Sequence, residues 1–353
     1  MKLLLLALMA FPLAAQEYKM AVVGLVHSHV WGHLPNMLNN KNVKLVGVAE
    51  SNPELVAEAK KAGVADNLFF TDYQKMLDQT KPDFIWSFVE NNRHLEIIQA
   101  CAPRKIHVIF EKPLASTYAE ALSIQKLARQ HYIQVMSNYQ MVWWPANYAA
   151  KAQADSGALG TIYRLHGIVG HGGPGSQGPR SKYFFAWLTD PVKNGAGALM
   201  DFGCYNALWS LWYMGRPETV YAHVNHLRPE VFPKVEDNAD MLLGYKNGVG
   251  IFEASWDLPR SYQDVEVFGL KGSVYMQNGK VELSKGKQKQ EIPLTPLAPD
   301  DAEPIAYMVS RLRQKKPVEG LTALDINVGV VEIIEAAKQS VKSGAAVRLP
   351  LAK

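Results

Sequence analysis

Cysteine is scarce: Cys101 and Cys204 are the only two in 353 residues. Two thiols cannot build a disulfide framework or a zinc ribbon, so stability has to come from a packed core. A surplus of one charge is missing as well. Lys plus Arg number 37 against 33 Asp plus Glu, the formal net charge is +4, and no run of five like charges occurs. That excludes the electrostatic footprint of a nucleic-acid binder and leaves a small molecule as the expected partner. Beyond the first fifteen residues no apolar stretch is long enough to cross roughly 30 Å of hydrocarbon, so no membrane span is expected. Internal repeats and low-complexity linkers are absent. With 48% hydrophobic and 20% charged residues, the chain is neither disordered nor fibrous, and its length suits two globular domains.

The first fifteen residues differ from the rest. Lys2 precedes the apolar run Leu3 to Phe11, then Pro12 and the small pair Ala14-Ala15, which is the pattern of a Sec-type signal peptide over 1–15. No Cys follows to take a lipid, so the mature protein is expected to be soluble and periplasmic or secreted.

From Tyr18 onward short apolar runs alternate with helical stretches. Strands are read at Met20–Val23, Val43–Ala49, Asp83–Val89, Lys105–Phe110 and Ile133–Ser137. Pro53 opens a helix that Gly63 closes, and Thr117 caps another over Tyr118–His131. This rhythm predicts an α/β domain over 16–139 with a doubly wound parallel sheet. The remainder, 140–353, reads as an α+β domain with a mostly antiparallel sheet. Its runs Val220–Leu227, Asp240–Tyr245, Gly248–Ala254, Asp264–Phe268 and Ser273–Met276 crowd together with Gly-bearing turns. A helix over Leu199–Met214 precedes that sheet. A final one, Ala323–Ser343, is expected to pack back near the first domain. The sheet is also the candidate face for a homo-oligomer.

The turn after the first strand, Gly24-Leu25-Val26-His27-Ser28-His29, is followed by Glu50 at the end of the second. A dinucleotide site needs a tight turn, close backbone approach to the pyrophosphate and an acid for the ribose. Gly24 supplies the turn, but Val26 and His29 stand where further glycines belong. Glu50 favours NAD over NADP because a carboxylate repels a 2′-phosphate. The same turn has a competing reading: His27-x-His29 with His33 has spacing that could hold a metal, completed by His166 or His171, or these are polar histidines at the mouth of a cleft. His223 and His226 lie on a strand where i and i+3 face opposite ways. No carboxylate partner for the histidines is evident, and no metal is assigned.

Further along come Glu111-Lys112-Pro113, directly after a strand, and Asn194-Gly195-Ala196-Gly197 leading to Asp201 and Tyr205, four apart and on one face if helical. Together with Asn91-Asn92-Arg93-His94 and Gly157-Ala158-Leu159-Gly160, they resemble the Gfo/Idh/MocA oxidoreductase family. Tyr205 resembles the Tyr-type branch of glucose-fructose oxidoreductase and dihydrodiol dehydrogenase. The resemblance implies a Rossmann domain binding NAD and a sugar or glycoside substrate. It implies that Lys112 binds and acidifies the reacting hydroxyl, Asp201 orients the sugar, and Tyr205 shuttles the proton. Glu111 and His94 are placed along the nicotinamide half and Asn91 near its ribose, with Gly24, Leu25, Val26, His29 and Glu50 completing the cofactor site. A phenol beside an ammonium is expected to ionise more easily.

Val142 stands where many members carry Arg, three residues before Pro145. Trp143 and Trp144 are candidate stacking faces for a sugar, or core aromatics. His171 opens a Gly-rich loop that either covers the site or is an ordinary surface connection. Export adds a constraint: free NAD is scarce outside the cytoplasm, so a tightly held cofactor is expected. The net reaction is then oxidation of a sugar hydroxyl, or redox-neutral glycoside cleavage by oxidation, elimination and re-reduction. The non-enzyme alternative is a secreted sugar-binding protein that has lost the cofactor.

Overall fold

The computed structural model describes residues 17–352; the signal segment read at 1–15 lies outside them. The N-terminal unit alternates β1 (Tyr18–Val23), α1 (Val30–Asn39), β2 (Val43–Ala49), α2 (Pro53–Lys61), β3 (Phe69–Phe70), α3 (Tyr73–Thr80), β4 (Phe84–Ser87), α4 (His94–Cys101), β5 (His107–Glu111), α5 (Tyr118–His131) and β6 (Val135–Asn138). These six strands form one parallel sheet in the order β3-β2-β1-β4-β5-β6. Helices on both faces bury β4 and β6 completely, which is why these two read as unbroken apolar or small-residue runs. Chain order reverses between β1 and β4, and ligands of such sheets bind outside the strand ends at that point. Capping fixes the helix starts. Asn52 accepts from the Glu54 N–H with Pro53 at the first position, and Thr117 forms a capping box with Glu120.

The second unit comprises α6 (Pro145–Asp155), β7 (Ile162–Gly170), α7 (Pro179–Leu188), α8 (Ala198–Asp201), α9 (Gly203–Met214), β8 (Thr219–Asn225), β9 (Asn238–Tyr245), β10 (Gly248–Ser255), β11 (Tyr262–Gly269), β12 (Gly272–Gln277), β13 (Lys280–Lys285), β14 (Gln288–Glu291), α10 (Pro304–Gln314), α11 (Leu324–Ser343) and β15 (Val347–Arg348). Its nine strands follow the order β14-β13-β12-β11-β7-β10-β9-β8-β15, antiparallel except for the β7–β10 pair. One face of this sheet is covered by α6, α9 and α11. On the open face Tyr221, Leu242 and Ile251 sit side by side across three strands and are exposed. The long helix α11 touches both units: besides packing on β8 and α9, its Asp325 accepts from Gln125 (2.8 Å) and Arg129 (2.7 Å) on α5. Among the described residues no helix is long and apolar enough to cross a membrane.

One helix departs from the sequence reading. The segment Leu199–Met214 is not continuous but breaks at Phe202 into α8 and α9. The Tyr205 N–H bonds Phe202 O rather than Asp201 O, and the freed Asp201 carbonyl accepts from Lys112 Nζ (3.0 Å) and the Cys204 thiol (3.3 Å). Asp201 and Tyr205 therefore belong to two helices, with the break between them.

Candidate active site

The turn after β1 is shaped by Gly24. Its φ is +80°, and a Cβ there would stand 2.7 Å from Val89 Cγ1, so no other residue fits without displacement. Glu50, at the end of β2, is held by three backbone donors: Leu25 N–H on Oε2 (2.8 Å), and Ser51 N–H (2.9 Å) and Asn52 N–H (2.8 Å) on Oε1. A recess of about 80 Å³ opens between Gly24, Val26, Glu50, Tyr73 and Arg93. Val26 packs against the cores of both units, and its carbonyl accepts from Trp187 Nε1 (3.2 Å), so it anchors the turn to the second unit.

Asn91 and His94 are buried at the ends of the central strands. Asn91 Nδ2 donates to Asn194 Oδ1 (2.8 Å), which joins the two units, while its own Oδ1 has no partner among the described residues. His94 stacks on Phe110 (4.4 Å between centroids), and its Nδ1 meets Leu114 O (3.0 Å). Burial, opposed by that carbonyl, brings its pKa down to about 4, so the ring is neutral and its orphan Nε2 awaits a partner. The glycine turn, a fixed ribose-type carboxylate and two unsatisfied polar atoms fit a dinucleotide lying along this edge.

The histidine turn has the carboxylate partner that was not evident from sequence. His29 Nδ1 lies 2.8 Å from Glu111 Oε2, and His27 Nδ1 accepts from the His29 N–H (3.2 Å). His27, His29 and Glu111 are the one group among the described residues whose ligand-type atoms fall within 4.8 Å of one another. Glu111 is fully engaged without an ion, because Trp86 Nε1 (3.0 Å) and Asn138 Nδ2 (2.9 Å) also donate to it. Burial raises the Glu111 carboxyl, but His29 first, then His33 and the Asn138 amide, hold it net below its usual range. His27 is neutral, pulled well below the ordinary histidine value by burial first and further by its proximity to His29 and Lys112. His33 lies outside that group but near it, packed on Trp86 (4.4 Å) and close enough to Glu111 to feel its charge.

The centre of the site is Lys112. Its ammonium forms an ion pair with the Asp201 carboxylate and also donates to the Asp201 carbonyl, and both side chains are about 95% buried. Trp256 Nε1 donates to the other Asp201 oxygen (2.9 Å). Burial works against both charges, yet their mutual attraction wins: the lysine is held above its ordinary value and the aspartate below. The Tyr205 ring lies 5.2 Å from Lys112 Nζ. Here the structure corrects the expectation of an easily ionised phenol. Burial raises the Tyr205 pKa well above the usual 10, and Lys112 offsets only part of that.

Lys112, Asp201, Tyr205, His29 and His171 line one cleft of about 280 Å³. His171 packs edge-on against Phe202 (5.0 Å), and burial, followed by opposing effects of Asp201 and Lys112, keeps its pKa below 6.5. Trp143 is not in this cleft. Its Nε1 donates to Asn138 Oδ1 (2.8 Å), tying it to the Glu111 network, and its ring packs among core side chains. Trp144 lines a neighbouring cavity. Phe202, Trp256 and Gln263 belong to the site but carried no signal in the sequence, because only the tertiary fold brings them there. The Gly approach before α8 is steric: a Cβ on Gly197 would sit 1.9 Å from Glu236 O, and Glu236 Oε1 caps α8 through the Gly197 and Leu199 N–H groups.

Comparison with known proteins agrees with this geometry. Residues 18–139 match the model of an oxidoreductase family with an NAD-binding Rossmann fold, and residues 148–275 match the GFO/IDH/MocA C-terminal domain. The chain is 27% identical over 317 residues to levoglucosan dehydrogenase of Pseudarthrobacter phenanthrenivorans, covering 82% of this chain and 78% of that protein. It is 23% identical over 252 residues to myo-inositol 2-dehydrogenase of Thermotoga maritima, covering 70% and 71%. Aldose-aldose oxidoreductase from Caulobacter crescentus, solved with glycerol, has the same fold with a TM-score of 0.80 at 18% identity, covering 95% of this chain and all of that one. A levoglucosan dehydrogenase solved with NADH and levoglucosan superimposes with a TM-score of 0.77 at 21% identity, covering 95% and 100%. The chain belongs to the Gfo/Idh/MocA oxidoreductase family.

Proposed function

We propose that this protein oxidises a hydroxyl of a carbohydrate or glycoside by hydride transfer to a tightly held NAD. The observation that carries the proposal is the buried Lys112–Asp201 pair in a polar cleft beside the dinucleotide-type edge of the parallel sheet. Similarity to levoglucosan dehydrogenase and myo-inositol 2-dehydrogenase supports a polyol or sugar as substrate. Gly24, Glu50, Asn91 and His94 would hold the cofactor, Glu50 disfavouring the 2′-phosphate of NADP. The chemistry supplied by NAD when bound is acceptance of a hydride from the carbinol carbon.

The rest falls to side chains. An ammonium has three N–H donors. Two of those on Lys112 are taken by Asp201, which leaves one for the reacting hydroxyl, where it stabilises the developing alkoxide. Tyr205 is protonated at rest, so it acts as a relay, accepting the substrate proton while passing its own onward. His171 is the neutral imidazole in the same cleft that can receive it.

Oxidation beside a glycosidic carbon also acidifies the adjacent C–H, so that elimination and re-reduction can follow with no net redox change. This version suits an exported protein with little access to free cofactor, and export itself is part of the proposal. The exposed row Tyr221, Leu242 and Ile251 is where a second copy would pack.

The relay has a pH signature. A proton acceptor must be unprotonated, so kcat/KM is expected to fall as pH drops through the lowered His171 pKa, below 6.5. The profile is measured with NAD and a panel of aldoses and anhydrosugars. His171→Asn should lower kcat and erase that acid limb; an unchanged limb would assign it to another group.

A further inference from the structure

Gln263 stands where two cavities meet. It lines the reactive cleft with Lys112 and Tyr205, and it also lines a second cavity of about 490 Å³ next to Trp144. That volume lies within the range of roughly 300–1,000 Å³ typical of ligand pockets.

The walls of the second cavity are rigid and of two kinds. Trp144 precedes Pro145 and holds the extended backbone that a following proline imposes, with its half-buried ring braced against the core. Asp264 and the two-residue turn Asn278-Gly279 line the same cavity. Asp264 is buried and locked by Arg260 (2.8 Å) and Gln277 (3.0 Å). Asn278 and Gly279 have φ of +50° and +72°, the left-handed pair that a tight hairpin between β12 and β13 demands, so this rim is fixed too. At the junction Gln263 Oε1 is buried with no hydrogen-bond partner among the described residues. A buried acceptor without a donor is a place for a ligand hydroxyl.

An aromatic side chain and fixed polar groups around one cavity suit a sugar ring, since its C–H face is apolar and its edge carries hydroxyls. Among the described residues no Lys or Arg lines the cavity, so a neutral ring fits better than a sugar phosphate or a nucleotide sugar.

We propose that this cavity is a second sugar-ring subsite. The substrate is then a glycoside or disaccharide whose reacting ring lies against Lys112 and Tyr205 while the adjoining ring rests on Trp144, with Gln263 accepting a hydroxyl at the joint. This rests on the carbohydrate reading above and narrows it from free sugars to glycosides.

The test is saturation-transfer NMR on the full chain with cellobiose, maltose and lactose, alongside glucose and galactose. At least one disaccharide should receive saturation on both rings and bind more tightly than its component monosaccharide. Trp144→Ala should weaken that disaccharide about five- to tenfold, the effect of losing one aromatic contact, and leave monosaccharide binding unchanged. Trp144→Phe should restore most of the loss, and thermal melts of both variants guard against misfolding. Saturation confined to one ring of every disaccharide, or equal weakening of mono- and disaccharides, overturns the subsite while leaving the carbohydrate reading in place. Failure of all five sugars to bind overturns both.

Discussion

Lys112→Ala is expected to abolish turnover and to destabilise the fold by about 3–5 kcal/mol, the cost of leaving one partner of a buried ion pair alone. The Asp201 carboxylate would keep only the Trp256 N–H and remain buried. Against a total stability of about 5–15 kcal/mol for typical proteins, this is a large fraction. A double variant, Lys112→Met with Asp201→Asn, removes both charges together. It should regain most of the lost stability in a denaturant melt and none of the activity. A single variant that melts like the wild type would show that the pair is solvated rather than buried. A single variant that still turns over would remove Lys112 from the chemistry.

Tyr205→Phe separates chemistry from packing more cleanly. The ring meets Tyr139 edge-to-face at 5.1 Å, a contact phenylalanine keeps, so the melting temperature should stay close to that of the wild type. The hydroxyl is lost, and with it the relay, so kcat should drop by about 10²–10⁴. A decrease of less than tenfold would mean that the proton leaves by another path, with His171 taking it directly from the substrate.

Much of the N-terminal architecture can be read in the sequence because strands buried on both faces announce themselves as apolar runs. Val43–Ala49 matches β2 residue for residue, and Thr117 caps α5 as its capping box requires. Other elements leave weaker traces. β3 has only two residues, and α7 begins at Pro179 immediately after a Gly-rich stretch that reads as loop. The break at Phe202 goes with a contact 89 residues distant in the chain, Lys112 on Asp201 O, which no helical periodicity can reveal.

The site divides in the same way. Local sequence marks the motifs that hold Lys112, Asp201 and Tyr205, but burial depth is a tertiary property. Lys112 beside Tyr205 suggests an acidified phenol, and the depth of burial reverses the sign. Likewise Trp143 and Trp144 are adjacent in sequence yet part company in the fold, one bonding Asn138 and lining one cavity, the other lining a different cavity. His29 and Glu111, 82 residues apart, meet only because β1 and β5 flank β4 in one sheet.

The oxidoreductase reading with a tightly held cofactor is tested most directly by denaturing the purified mature protein and taking the mass spectrum of the small molecules released. About one NAD per chain is the expected result, as retention through purification requires. Release of no dinucleotide, together with failure of the refolded or freshly prepared protein to bind added NAD or NADP while still binding a sugar, would contradict it. The chain would then be a carbohydrate-binding protein on a dehydrogenase fold.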